Sequence, residues 1–150
     1  MKKIMLLSIS VIMSVLMLCS CFFEITVFAE TKTSGDYEYK ILEDGTAEIT
    51  NYGGSDTVVE LPSEIDGYKV TSLGDRAFYY SIYGGSKTVT DIIIPNGITN
   101  IGADAFKECT KLKNVTIPDT VKTIGNAAFI DCTAIEKIVL PKGVSIINSK

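Results

Sequence analysis

Cys109 and Cys132 carry the most reactive side chains in the body of this chain, and they stand 23 residues apart. The 150 residues include four cysteines and no histidine. Without histidine the chain can form neither a Ser-His-Asp triad, nor a Cys-His pair, nor an imidazole metal site. The pair can still form a disulfide or remain as two unpaired thiols, and a nucleophilic cysteine without its usual base is strongly disfavoured.

Carboxylates are numerous enough to supply an acid–base pair or a calcium site, so their positions decide the matter. Six aspartates lie in predicted turns or at predicted element starts, where turn formation and capping account for them. They are Asp66, Asp75, Asp91, Asp104, Asp119 and Asp131. No loop shows the alternating oxygen ligands of a calcium site. We therefore predict no catalytic residue, no bound metal and no cofactor.

The first 29 residues resemble an export signal in their organisation. Two lysines precede an apolar stretch over 4–23, and residues 27–29 fit a signal-peptidase site. Two alternatives stay open: a lipoprotein signal with Cys21 acylated, and a retained membrane anchor. We expect a secreted or cell-surface protein whose membrane attachment, if any, is this signal or a lipid on Cys21.

The charge of the chain limits its partners. The formal net charge is −4, and the two signs are mixed along the sequence. A mildly acidic, mixed surface argues against nucleic acid as a partner and against electrostatic binding to anionic lipid. We expect a monomer.

The second half of the chain repeats itself with a period of 23 residues, as its Ile/Leu-Pro pairs at Pro95, Pro118 and Pro141 show. Ile-Gly pairs, Ala-Phe pairs and the two cysteines follow the same period. An earlier unit begins near Leu61 and is lengthened by two five-residue insertions, over 66–70 and 83–87, which contain glycine and polar residues and are predicted as loops. A period in this range predicts a solenoid, because one unit cannot bury its apolar face by itself.

Each unit contains a strand, a corner and a turn. Val115 and Ile117 alternate with polar residues, which predicts a short half-buried strand. The glycine after each isoleucine suits a corner where a side chain would clash or where φ is positive. The following Ala-Phe segment predicts a short helical or 3-10 turn. In coils stacked about 4.8 Å apart, Phe78, Phe106 and Phe129 would form an internal aromatic column.

Stacking would also bring Cys109 and Cys132 to about 5 Å from each other. A disulfide is then geometrically allowed, and an exported protein would permit it. Equivalent side chains of stacked coils point in parallel, however, so we favour two buried, unpaired thiols.

The sequence divides into four parts. They are a signal (1–29), a flexible lead (30–35), a β-hairpin cap (36–56) and about three and a half repeats (57–150), the last one incomplete. The hairpin is predicted by alternating apolar residues on both sides of Asp44-Gly45. A solenoid must cover its first coil, so we place the hairpin as an N-terminal cap.

Two near-complete copies of the unit resemble the bacterial BspA-type leucine-rich repeat, with the pattern I-G-x-x-A-F-x-x-C-x-x-L-x-x-I-x-I-P-x-x-V. They begin at Ile101-Gly102 and Ile124-Gly125, and the resemblance covers about residues 57–148. It implies a right-handed, β-rich leucine-rich-repeat solenoid with short strands on the concave face and short helical or 3-10 turns. It also implies an interaction role, since members of this family serve as cell-surface adhesion or binding proteins.

Outward residues of the predicted strands form two candidate binding columns. The first column is Glu60, Ile93, Thr116 and Val139, and its neighbour is Asp91, Asn114 and Lys137. Ile93 and Val139 are apolar where water is expected, which reflects either β-branched strand preference or a ligand-binding face.

The loop around the second insertion is a secondary candidate. Tyr79, Tyr80 and Tyr83 border it, and exposed tyrosines suit contact with protein or glycan. Packing of this loop against its own coil is an equally favoured alternative.

We predict an exported, non-enzymatic interaction protein that binds an extracellular protein or glycan. One alternative is a non-catalytic spacer or targeting arm of a larger multidomain surface protein, and a remote one is a small carboxylate hydrolase. The last repeat stops before its next Gly-x-x-Ala-Phe, so we expect a fragment of a longer chain or a product with a frayed end.

Overall fold

The computed structural model describes residues 30–79, 88–136 and 138–146. Within these ranges the chain forms eleven strands in two sheets. In chain order they are β1 (Lys32–Ser34), β2 (Tyr37–Ile41), β3 (Ala47–Tyr52), β4 (Val58–Glu60), β5 (Glu64–Ile65), β6 (Tyr68–Leu73), β7 (Asp91–Ile93), β8 (Asn100–Ile101), β9 (Asn114–Thr116), β10 (Thr123–Ile124) and β11 (Ser145–Ile146). No helix of the described ranges is long and apolar enough to cross a membrane.

The larger sheet has the order β1-β2-β3-β6-β8-β10-β11, with β5 paired to β6. Its first three strands are antiparallel neighbours, whereas the strands from β3 to β11 along this order are parallel. The smaller sheet holds β4, β7 and β9, which are parallel and in register through Val59, Ile92 and Val115. Because the chain from β4 to β10 passes alternately through the two sheets, each turn adds a strand to both, which is the predicted solenoid.

β2 and β3 form the antiparallel hairpin that the sequence predicts, with Asp44 and Gly45 in its turn. The Asp44 carboxylate accepts hydrogen bonds from the Thr46 hydroxyl at 2.7 Å and from its amide at 2.9 Å. These bonds favour the charged carboxylate and lower the pKa of Asp44. β3 then pairs in parallel with β6, so the hairpin continues the larger sheet at one end of the solenoid.

The first insertion, predicted as a loop over 66–70, is part of a two-stranded hairpin formed by β5 and β6. Asp66 (φ 48°) and Gly67 (φ 85°) occupy its turn, and positive φ at both positions is typical of a type I′ turn. The Asp66 carboxylate accepts hydrogen bonds from Tyr39 Oη and Ser34 Oγ, both at 2.8 Å, which lower the pKa of Asp66. The insertion therefore links β1 and β2 to the body of the fold.

Repeated hydrogen bonds join the backbones of successive coils at the aromatic position. They run from Tyr52 N to Ala77 O (2.9 Å), from Phe78 N to Ala105 O (2.7 Å) and from Phe106 N to Ala128 O (2.8 Å). In each bond, an amide of one coil donates to a carbonyl of the next coil along the chain. Every added coil thus satisfies polar backbone groups of the coil before it.

The predicted aromatic column is present. The ring centroids of Phe78 and Phe106 lie 5.2 Å apart, and those of Phe106 and Phe129 lie 5.1 Å apart. Tyr52 stacks on Phe78 at 5.1 Å, and Tyr37 lies 5.1 Å from Tyr52. These distances fall in the range of favourable aromatic pairs. The hairpin therefore supplies two further rings, which the repeat alignment did not include.

Close backbone contact accounts for the corner glycines Gly102 and Gly125. A Cβ atom on Gly102 would lie 2.5 Å from the Gly74 carbonyl carbon and 2.6 Å from the Asp75 nitrogen. A Cβ atom on Gly125 would overlap the Ala103 backbone in the same way. Among the described residues, the positive φ angles lie at other positions. The sequence analysis gave two reasons for a corner glycine, a side-chain clash or a positive φ. The structure supports the clash, because a Cβ atom would overlap the backbone of the neighbouring coil.

The Ala-Phe segments are turns in the described ranges, so the prediction of short helical or 3-10 segments is not confirmed. Single bonds of the 3-10 type do occur, such as Lys107 N to Asp104 O at 3.0 Å. The second residue after each corner glycine has a positive φ, 60° at Arg76 and 54° at Asp104 and Ala127. A left-handed residue interrupts a right-handed helix, so each segment remains an isolated turn.

Replacing Phe106 with alanine should lower the free energy of unfolding by about 3–5 kcal/mol, because the ring is fully buried between two aromatic neighbours. Urea unfolding followed by circular dichroism measures the loss. Phe129→Ala is the matched control, and it should cost less because Phe129 is only partly buried. Equal losses, or a loss below about 1 kcal/mol at Phe106, would contradict the column.

Replacing Gly102 with alanine should cost about 1–3 kcal/mol, because the added methyl group forces two coil backbones apart. Gly53→Ala is the control, since a Cβ atom there would meet only Asp36 O at 3.8 Å. Thermal unfolding of both variants measures the difference. If Gly102→Ala were tolerated as well as Gly53→Ala, close coil contact would not explain the glycine.

Candidate binding face

The outward side of the smaller sheet presents six residues in two rows, which we call the binding face. The first row is Val58, Asp91 and Asn114, and the second is Glu60, Ile93 and Thr116. Pairing across the strands brings together the predicted members of both columns from β4, β7 and β9. It also adds Val58, which the sequence analysis missed because it considered only one outward position of the first strand.

Asp91 is fixed within its row. Thr90 Oγ1 donates to Asp91 Oδ2 at 2.5 Å, and Asn114 Nδ2 donates to Asp91 Oδ1 at 2.6 Å. These two bonds lower the pKa of Asp91, with the Thr90 bond the larger cause. Asp91 is therefore charged at neutral pH and held in one orientation, and the row presents an ordered anionic group.

Two aliphatic side chains of the binding face are exposed to solvent. Val58 is 56% exposed and Ile93 is 39% exposed. Both are β-branched, as strand preference would favour, and they lie in different rows of the same sheet. A partner lying across both rows would remove this apolar surface from water, which favours association.

Val139, the fourth member of the predicted column, does not lie in a strand. Residues 138–140 carry no strand, and within the described ranges the smaller sheet ends at β9. Val139 is 67% exposed, and Leu140 is 41% exposed where the equivalent Ile94 is 2% exposed. This coil packs less closely than the coils before it, so the column does not extend to it. Lys137 lies outside the described residues.

Among the predicted tyrosines, the structure describes Tyr79, and this side chain is half-buried. The Lys107 ammonium group lies 5.6 Å from the centroid of the Tyr79 ring, a cation–π distance. Tyr79 therefore contacts a side chain of the following coil. Tyr80, Tyr83 and the second insertion lie outside the described residues.

Cys109 and Cys132 are free and buried, as two unpaired thiols. Cys109 Sγ donates to Phe78 O at 3.3 Å, and Cys132 Sγ donates to Phe106 O at 3.0 Å. Burial raises the pKa of Cys109 to about 12 and that of Cys132 to about 11. Neutral thiols bonded to carbonyl groups are poor nucleophiles, so this pair is structural.

Aspartates at the corners hold neighbouring coils together. Asp75 Oδ1 accepts a hydrogen bond from the Ala103 amide at 2.7 Å, and Arg76 Nε pairs with Asp104 Oδ2 at 3.4 Å. The described ranges contain no group of three or more His, Cys, Asp or Glu side chains that could hold a metal ion. Contacts within the fold therefore explain why Asp75 and Asp104 occupy these corner positions.

A polar ladder on the larger sheet was missed by the sequence analysis. Asn100 Nδ2 donates to Ser72 Oγ at 3.0 Å, Ser72 Oγ donates to Glu48 Oε2 at 3.2 Å, and Thr123 Oγ1 donates to Asn100 Oδ1. Lys40 Nζ pairs with Glu48 Oε1 at 2.6 Å. Ser72, Asn100 and Thr123 each stand two positions before a corner glycine, and that regularity was the available signal. Because the members bind each other, the ladder stabilises the stack.

The two sheets, the stacked coils and the aromatic column define a leucine-rich-repeat solenoid. The family model described as "BspA type Leucine rich repeat region (6 copies)" matches residues 71–150, more than half of the chain. The chain belongs to this BspA-type leucine-rich-repeat family, as its repeat pattern predicted. Membership suggests a role in protein interaction.

Solved structures of bacterial leucine-rich-repeat proteins share the fold. A protein of T. pallidum is 30% identical with a TM-score of 0.69, and the match covers 79% of this chain and 54% of that chain. A leucine rich cell surface protein of Faecalibacterium prausnitzii A2-165 is 34% identical with a TM-score of 0.68, covering 80% of this chain and 33% of that chain. This chain thus spans about half of the first protein and a third of the second. No protein of curated function matches the chain.

Neither thiol should react with Ellman's reagent in the folded protein at pH 8, because burial disfavours the thiolate at Cys109 and Cys132. Both should react after unfolding in urea. Since the folded pKa values are raised, stability is unaffected below the ordinary thiol pKa of about 8.5 and falls as pH rises from there towards about 11. Rapid native reaction, or a mass two hydrogens lower without reductant, would contradict this.

Proposed function

We propose that this protein is an exported interaction protein that binds an extracellular protein or glycan through the binding face. Membership of a leucine-rich-repeat family supports an interaction role. The proposal goes beyond family membership in placing the binding site on the outer side of β4, β7 and β9. The observation that carries it is the pair of exposed aliphatic residues, Val58 and Ile93, on a sheet that also holds a fixed carboxylate.

The binding face combines the features that a stable contact requires. Val58 and Ile93 supply apolar surface, while Asp91 and Asn114 supply an ordered acceptor and a polar neighbour. The strands below pack through Val59, Ile92 and Val115 onto the core, so the outward side chains start from a rigid base. A preorganised surface loses little conformational freedom on binding, which favours affinity.

The proposed location is the cell surface or the medium outside the cell. The apolar stretch over 4–23 after two lysines supports export. The Faecalibacterium prausnitzii relative is described as a cell surface protein, which agrees with this location. Cleavage of the signal would release the protein, and acylation of Cys21 would anchor it.

A non-catalytic role fits the contacts of the described carboxylates. Asp91 binds Thr90 and Asn114, Asp75 binds a backbone amide, and Asp104 pairs with an arginine. Carboxylates held in this way have partners within the fold, so their positions are explained by the structure they stabilise. We therefore propose binding, without turnover, as the activity.

A second candidate is a spacer or targeting arm of a larger surface protein. It is favoured by the fact that this chain matches only 54% and 33% of the length of two relatives. In that case the coils would hold another module at a distance, and the binding face would have no ligand of its own.

Purified protein should bind saturably to one or more members of an array of matrix proteins and glycans. The double variant Val58→Ser with Ile93→Ser should weaken that binding about tenfold or more, because it removes exposed apolar surface from the binding face without touching the core. The matched control, Val58→Ile with Ile93→Val, keeps the surface apolar and should bind as the parent does. Unfolding midpoints of both variants should equal that of the parent.

Three results decide between the candidates. Binding that survives the serine variant places the ligand elsewhere on the solenoid. Loss of binding with the serine variant supports the binding face, provided that Val139→Ser, an exposed residue outside the smaller sheet, binds as the parent does. A folded protein that binds nothing in the array supports the spacer.

A further inference from the structure

The smaller sheet has an open edge at its first strand. β4 pairs with β7 on one side, and no described strand lies on its other side. The larger sheet differs, because β1, β2 and β3 extend it beyond β6, its first strand in the solenoid. The N-terminal hairpin therefore continues the larger sheet and leaves β4 with one free edge.

The backbone groups at this edge follow from the bonds on the paired side. The Thr57 carbonyl accepts from β7 at 3.1 Å, and the Leu61 amide donates to β7 at 3.0 Å. In a parallel pair, alternate residues direct their amide and carbonyl groups to the same neighbour. The amides and carbonyls of Val58 and Glu60 therefore point away from β7, and no described residue pairs with them.

Solvent reaches the free edge of β4. Val58 is 56% exposed, and residues 55–57 and Glu60 are exposed as well. A strand with open backbone groups is a template for a further strand, and proteins limit such pairing with short or charged edges. Pro62 follows closely on β4, so a partner could pair over only a short extended segment.

The charge of the edge favours one kind of partner. Residues 53–62 include two carboxylates, Asp56 and Glu60, and neither lysine nor arginine. A second copy of the chain would bring the same acidic segment opposite, so no cation would meet Glu60. A strand with a basic side chain opposite Glu60 and an aliphatic one opposite Val58 would complement both residues.

We propose that the free edge of β4 pairs with an extended polypeptide segment of a partner protein that carries a basic and an aliphatic residue two positions apart. Its backbone would bond to the amides and carbonyls of Val58 and Glu60, which is possible in either chain direction. The added strand would extend both rows of the binding face. This inference rests on the proposed function and selects protein over glycan, because donors and acceptors at strand spacing match a polypeptide backbone.

The probe for this pairing is the peptide acetyl-Gly-Lys-Thr-Val-Thr-Lys-Gly-amide. Lysine stands two residues from its valine on both sides, so the pattern suits either chain direction. Titration into isotope-labelled protein, followed by NMR, should shift the amide signals of residues 57–61 until they saturate. The same peptide methylated at its three central amide nitrogens should bind about tenfold more weakly or less, because backbone donors are lost and the approach is blocked.

A second control peptide has glutamate in place of both lysines. It should also bind about tenfold more weakly, because a like charge then lies opposite Glu60. Equal binding of the lysine and glutamate peptides would overturn the proposed class of partner.

Variants of the protein test the edge directly. Val58→Pro removes an amide that points away from β7, so probe binding should be lost while the unfolding midpoint stays close to that of the parent. Val58→Ile keeps the amide and should bind as the parent does. If the proline variant does not fold, the methylated peptide tests the same bonds on the unchanged protein.

The outcomes separate this inference from the proposed function. Absent shifts, or shifts that survive methylation of the peptide, would overturn strand pairing. An array ligand whose binding falls with the serine variant but not with Val58→Pro would support the binding face and overturn strand pairing. Probe binding at residues 57–61 without any array ligand would support strand pairing and count against the proposed function. A dimer in sedimentation that Val58→Pro disperses would overturn the choice of partner, because a second copy then occupies the edge.

Discussion

Close backbone contact at the corner glycines sets the distance between coils, and the other interactions of the stack depend on that distance. With no side chain at Gly102, its backbone lies directly against Gly74, which a Cβ atom would overlap. The aromatic rings can then lie 5.1–5.2 Å apart, and amides such as that of Phe78 reach carbonyls of the next coil at 2.7 Å. Each coil thereby supplies both apolar cover and hydrogen-bond acceptors for the coil before it.

The same spacing gives the proposed binding face its order. Because β4, β7 and β9 stack in register, outward side chains from sequence positions far apart form rows, and Ile93 lies beside Glu60 and Thr116. The hydrogen bond between Asp91 and Asn114 is itself a contact between successive coils. A face built in this way can change its outward residues without changing its fold.

Residues that repeat with the period were predictable from the sequence. The phenylalanine column, the strand containing Val115 and the buried thiols each follow from one unit placed on the next. Features that depend on local backbone geometry were not predictable in this way. The 66–70 insertion looked like a loop because Asp-Gly was read without its flanking strand residues, and positive φ at Arg76 carries no glycine to signal it. The predicted place of Val139 in the outward column is not confirmed for another reason, because that prediction assumed equal packing in every coil.

The most direct test of coil-by-coil stacking is amide hydrogen exchange resolved for each residue in the purified protein. The account predicts slow exchange, approaching the rate set by global unfolding, at Phe78 and Phe106, whose amides donate to the next coil. It predicts much faster exchange at Phe129, whose amide meets no acceptor in the described part of the chain. Equal protection at Phe106 and Phe129, or fast exchange at Phe78, would contradict it.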